Sequence, residues 1–74
     1  MKELVLDIAK ALVDNPDAVV VEETRNDEII LKLTVSQDDM GKVIGKQGRI
    51  AKAIRTVVRS AANREKVKVS LEIV

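Results

Sequence analysis

The 74 residues suffice for one small folded unit, and their 46% apolar and 34% charged content is an ordinary globular mix. His, Cys, Trp, Tyr and Phe are all missing, which excludes Cys/His zinc sites, thiol or histidine catalysis, haem ligation, disulfides and base stacking on aromatic rings. Net charge is +1, yet residues 1–39 sum to −6 and residues 40–74 to +7, so one face is expected to attract a polyanion and another to repel it.

Residues 3–14 read as a helix, with Glu3, Asp7, Lys10 and Asp14 on one polar stripe. Leu4, Val5, Ile8, Ala9, Ala11 and Leu12 fill most of its remaining circumference. Asn15-Pro16 stops it, because the residue before proline avoids the helical region. Val19–Thr24 is rich in β-branched residues and predicts a strand. Arg25-Asn26-Asp27 predicts a turn. Ile29, Leu31, Leu33 and Val35 then alternate with Glu28, Ile30, Lys32 and Thr34, the period of a strand buried on one face. The two strands form a hairpin.

Ser36, with an acid three residues later at Asp39, marks a helix start. A short helix follows with Met40, Val43 and Ile44 as its apolar side, and Gly45 is expected to end it. Gly48 is expected to open a longer helix reaching about Asn63. Its Ile50, Ala53, Ile54, Val57, Val58 and Ala61 form a core-facing stripe. Val67, Val69, Leu71 and Ile73 alternate with Lys68, Ser70 and Glu72, the pattern of a last strand with one buried face.

The order is α-β-β-α-α-β. Strands buried on one face require the three helices to lie together on that side of the sheet. The second and third strands, separated by two helices, pair parallel, while the first two pair antiparallel. The expected fold is therefore α+β: a mixed three-stranded sheet covered on one face by three helices.

Chemistry concentrates in Val43-Ile44-Gly45-Lys46-Gln47-Gly48-Arg49-Ile50, where two glycines bracket two polar residues between helices. Glycine permits a tight turn and the close approach of another backbone. The next helix starts here, and its N-terminal dipole and amide groups favour a phosphate. At about 100° per residue, Lys52, Arg55 and Arg59 fall within about 60° of one another, opposite the apolar residues. Arg49 lies nearby on the wheel and Lys42 just upstream. Loop, dipole and basic stripe agree on a single-stranded polyanion as ligand.

This stretch resembles the signature of the KH domain, V-I-G-x-x-G-x-x-I in its common form, with Ala51 in place of the last Ile and Ile50 and Ile54 beside it. The helix-first, strand-last order is similar to the type II arrangement, and the resemblance covers residues 1–74 as a single KH domain. It implies that Gly45, Lys46, Gln47 and Gly48 clamp the backbone of about four nucleotides of single-stranded RNA. By the same resemblance Arg49, Lys52, Lys42 and Arg55 assist at phosphates, and Val43, Ile44 and Ile54 line an apolar groove under the bases. Lys32, Lys66 and Lys68 are read as solvated.

A free-standing KH domain of this length is similar to the small bacterial KhpA family. That implies an RNA chaperone or regulator acting with a larger KhpB-type KH protein in cell-shape and peptidoglycan homeostasis. No cofactor is implied.

Two other classes compete. A P-loop is disfavoured: three residues rather than four separate Gly41 from Gly45, Gln47 follows the lysine, and a helix rather than a strand precedes it. No nucleophile–base pair accompanies Asp38 and Asp39, so an enzyme is not expected. The second is a protein-interaction module that keeps the KH fold with little RNA binding. Its support is the wide apolar arc of the long helix, with Ala51, Val58 and Ala62 at the edge. A homodimer or heterodimer using Val58 and Ala62 is expected on that ground.

The longest apolar run, Ala18–Val21, is too short for a membrane span. Asp7 interrupts the start too early for a signal peptide. A cytoplasmic protein is expected.

Overall fold

A computed structural model describes residues 1–74, with Lys46 described by its backbone alone. The elements are α1 (Lys2–Leu12), a short 3-10 helix (Pro16–Ala18), β1 (Val20–Arg25), β2 (Ile29–Thr34), α2 (Gln37–Glu65) and β3 (Val69–Ile73). The fold is α+β, with three helical elements and a mixed three-stranded sheet of order β1-β2-β3.

The strands form as their alternation dictates. β1 and β2 are antiparallel, in a register from Val20 opposite Thr34 to Arg25 opposite Ile29. The turn is closed by the Asn26 N–H donating to the Glu28 carbonyl at 3.1 Å. β2 and β3 are parallel, with Ile29 opposite Val69 and Leu33 opposite Ile73. On β2, Ile29, Leu31 and Leu33 are buried while Lys32 and Thr34 are exposed. The buried row faces the helices, and with Val5, Ala9, Val43, Ile54 and Val58 it makes the core.

α1 contributes only Val5 and Ala9 to that core at full burial. It ends two residues earlier than its polar stripe suggested. Val13 is already extended, since Asn15-Pro16 pulls the chain out of the helical region before Pro16 opens the 3-10 turn.

The two later helices expected from sequence are one helical segment with a break inside it. Gln47 and Gly48 have φ of 63° and 65°, the left-handed region, in the middle of α2. A straight 29-residue helix would be about 43 Å long, against a longest principal extent of 34 Å for the whole fold. The segment is thus two arms hinged at Gln47–Gly48. Gly45 was expected to end the first arm, but it keeps a negative, helical φ, and the reversal falls on Gln47–Gly48. Gly48 takes this conformation at no steric cost, whereas Gln47 carries a penalty of about 1–2 kcal/mol.

At the far end, Lys66 adopts the left-handed cap conformation that stops α2, its N–H donating to the Ala62 and Asn63 carbonyls.

Burial corrects one expectation. Val58 is 3% exposed and Ala62 6%, and Ala51 is buried too. All three are covered within the chain, so Val58 and Ala62 are not free to contact a second molecule. The apolar arc of α2 is wide because the sheet takes one part of it and α1 another. The arm's exposed apolar positions are instead Ala53 and Val57.

Candidate nucleic-acid interface

The second arm of α2 begins at the Gln47–Gly48 break and therefore presents an N-terminus of its own there. Around that point lies an open groove of about 270 Å³ lined by Ile44, Gly48, Ala51, Lys52, Arg55 and Ile73. Its floor is aliphatic and its rim cationic. Ile44 is 56% exposed, unusual for a large aliphatic side chain, and it lies three residues before the Gln47–Gly48 break. Lys52 and Arg55 sit one turn apart on the exposed side of the arm. Neither is held in an ion pair among the described residues.

The glycines differ in what holds them. Gly48 answers to its backbone angle. Gly45 is helical, and a Cβ built on it would meet nothing within 4 Å. The fold therefore makes no steric demand for glycine at position 45, and the open space beside it suits the close approach of a ligand backbone.

The sequence candidates separate as follows. Gly48, Lys52, Arg55 and Ile44 come together at the groove, while Gly45 and the exposed Gln47 are the chain neighbours of Ile44 and Gly48 and do not line it. The side chain of Lys46 lies outside the described residues. Arg49 is exposed on the first turn of the second arm but does not line the groove. Lys42 points the other way, donating to Asp14 Oδ1 at 3.2 Å at the exit of α1. Val43 and Ile54 were expected to line the groove, but both are fully buried. They hold the two arms onto the sheet from beneath, and a base cannot touch them.

Two groove residues were not among those candidates. Ala51 stands where the KH pattern has Ile and lines the groove floor. Ile73 comes from the last strand, twenty-five residues beyond Gly48, and no local signal marks it. Parallel pairing places β3 at the edge of the sheet, alongside the second arm.

The pairing also sets what that edge offers. The Ile29 N–H donates to the Lys68 carbonyl and the Val74 N–H to the Leu33 carbonyl. In a parallel ladder this parity turns the N–H and C=O groups of Val69, Leu71 and Ile73 away from β2, toward the open edge. Such groups can bond the edges of unstacked bases.

One buried charge supports the site from behind. Asp39, 1% exposed, accepts the backbone N–H groups of Asp14 at 3.1 Å and Asn15 at 3.0 Å, and the Ser36 hydroxyl at 3.0 Å. Burial pushes its pKa up, but these hydrogen bonds outweigh burial and hold the carboxyl below its ordinary value. The sequence reading of Asp39 as a cap is incomplete. Ser36 Oγ does accept from the Asp39 N–H at 3.2 Å, while the carboxylate ties the exit of α1 to the start of α2. Among the described residues, no helix is long and apolar enough to cross a membrane.

Residues 2–73 match the family model described as KhpA/KhpB, KH domain. Similar proteins named "RNA-binding protein KhpA" occur in Clostridium perfringens, 65% identical over the whole of both chains. Those of Caldanaerobacter subterraneus subsp. tengcongensis and Listeria monocytogenes are 63% and 52% identical, covering all of this chain and 100% and 99% of theirs. Relatives named for RNA binding on a KH domain form no enzymatic family. No solved structure gives a significant match.

Proposed function

Because this chain belongs to the KhpA/KhpB KH-domain family, we propose that it is a single-stranded RNA-binding protein, residues 1–74 forming one KH domain. The observation that carries the reading is the exposed groove at the Gln47–Gly48 break, cationic at its rim and aliphatic at its floor. A phosphate approaches Gly45 and Gly48, where no Cβ obstructs it and the second arm's N-terminal dipole favours negative charge. Lys52 and Arg55 neutralise the next phosphates. Bases lie over Ile44, Ala51 and Ile73, in contact with the free edge of β3.

Single strands suit this groove better than a duplex, because the floor is apolar and bases reach it only when unstacked. With no aromatic ring to stack on, affinity for a short strand is low. A second KH unit raises it through effective concentration. A homodimer, or a heterodimer with a larger KhpB-type protein, supplies that unit. The family resemblance further supports a cytoplasmic chaperone or post-transcriptional regulator serving cell-shape and peptidoglycan homeostasis. RNA binding by the relatives, as their names state it, favours this reading over a KH fold kept only for protein contacts.

The test replaces Lys46 and Gln47 together by Asp and measures fluorescence anisotropy with short single-stranded RNA. Two carboxylates at a phosphate site lower affinity at least about tenfold, or 1.4 kcal/mol, with an unchanged circular dichroism spectrum. Asp tolerates the left-handed angle at position 47, so folding survives. Equal binding by the folded double variant would exclude the loop as the contact.

A further inference from the structure

A second concavity, of about 340 Å³, lies further along the same helix and strand edge. Arg55, Arg59 and Lys68 surround an apolar wall of Val67, Val69 and Leu71. Arg55 lines both this concavity and the groove beside the loop, so the two are continuous. Lys68, read from sequence as solvated, and Arg59, which follows Arg55 by one turn, meet here because β3 runs beside the second arm. No carboxylate lines the concavity, and none of its three cations is in an ion pair among the described residues.

We propose that the RNA path continues into this second concavity, so that the footprint is longer than the four nucleotides the loop clamps, with Arg59 and Lys68 holding the flanking phosphates. The proposal rests on the reading of the first groove as the RNA site. Three arguments extend it. From Lys52 to Arg59 the exposed cations run about 10 Å along the arm, a track rather than a point. From Ile73 to Val69 the free N–H and C=O groups of β3 accompany that track for about 13 Å. The apolar wall and the guanidinium planes of Arg55 and Arg59 offer a base its flat contacts in a chain without aromatic rings. Solvated lysines and arginines need none of this alignment.

The test compares the full chain with its Arg59→Ala, Lys68→Ala double variant on labelled uridine tetramer and decamer RNA, each at several salt concentrations. Both residues are exposed, so the variant folds, as circular dichroism checks. The longer footprint of the unaltered chain leaves it fewer registers on the decamer than the variant has, so register counting works against the expected loss and cannot produce it. The expected result is at least a fivefold loss on the decamer with the tetramer unchanged. The decamer's salt slope falls by about 1.4, two contacts at roughly 0.7 each. Equal losses on both oligomers would place Arg59 and Lys68 in the first groove, and no loss on either would make them solvated; both results overturn the extension while the proposed function stands. Failure of the unaltered chain to bind either oligomer overturns the proposed function and the extension together.

Discussion

Asp39 Oδ2 accepts two hydrogen bonds from Asn15, from the backbone N–H at 3.0 Å and from the side-chain amide at 3.3 Å. A residue at the start of α2 thereby fixes the residue that leaves α1, twenty-four positions earlier. The helix layer is latched at its corner, and the first arm of α2, which carries Ile44 and Gly45 to the groove, is held against α1.

That latch is pH-dependent. The hydrogen bonds favour the ionised form, so the folded pKa lies below the unfolded value of about 4. The stabilisation is complete above the unfolded pKa and is lost as pH falls through the folded one. Asp39→Asn turns an acceptor of N–H groups into a group that is partly a donor. Expected, then, are a lower Tm at pH 7 for Asp39→Asn and a flatter loss of Tm below about pH 4 than in the unaltered chain. Parallel melting curves for the two proteins from pH 7 to pH 2 would refute the assignment.

Gly45 and Gly48 separate stability from binding. Gly45→Ala removes a flexible residue from a helical position with open space beside it, and is expected to stabilise the fold by about 0.5–1 kcal/mol. It is also expected to weaken RNA binding, since the methyl occupies the approach to the loop. Gly48→Ala forces a Cβ into the left-handed region and destabilises by about 1–2 kcal/mol. Urea unfolding and RNA titration of both variants test this; tight binding by Gly45→Ala would remove its functional meaning.

Lys52→Ala with Arg55→Ala is expected to weaken binding to RNA of every sequence alike and to lower the salt slope by about 1.4. Phosphate contacts release counterions but read no bases. A loss confined to one sequence, with the slope unchanged, would assign these two residues to the bases.

Neighbouring valines on the second arm behave oppositely. Val58 is 3% exposed and Val57 36%. Val58→Asp buries an unpaired carboxylate and is expected to unfold the chain, given that a domain of this size has only a few kcal/mol to lose. Val57→Asp is expected to keep the fold and, if this face joins a second chain, to shift sedimentation toward the monomer. A folded Val58→Asp protein would contradict the packing described.

The sequence alone determined the features that depend on near neighbours. Alternation of Ile29, Leu31, Leu33 and Val35 placed β2 and named its buried face correctly, because strand geometry imposes a period of two on any residue that must reach the core. The antiparallel hairpin and the parallel return followed from the same periods, whereas the break in α2 falls on Gln47–Gly48 and not at Gly45, where the sequence pattern ends the first helix. Only the tertiary structure decided what distant segments do to one another. A helical wheel shows that Val57 and Val58 are both apolar, but only the packed core decides which one is covered. Val43 and Ile54 sit under the groove rather than in it, since the sheet packs against that side of the arms. Ile73 enters the groove, and Lys68 meets Arg59, through a parallel pairing that joins residues some forty positions apart. Asp39 carries no local sign that its partners lie at Asp14 and Asn15. Such contacts arise when layers close on each other, and spacing along one element holds no record of them.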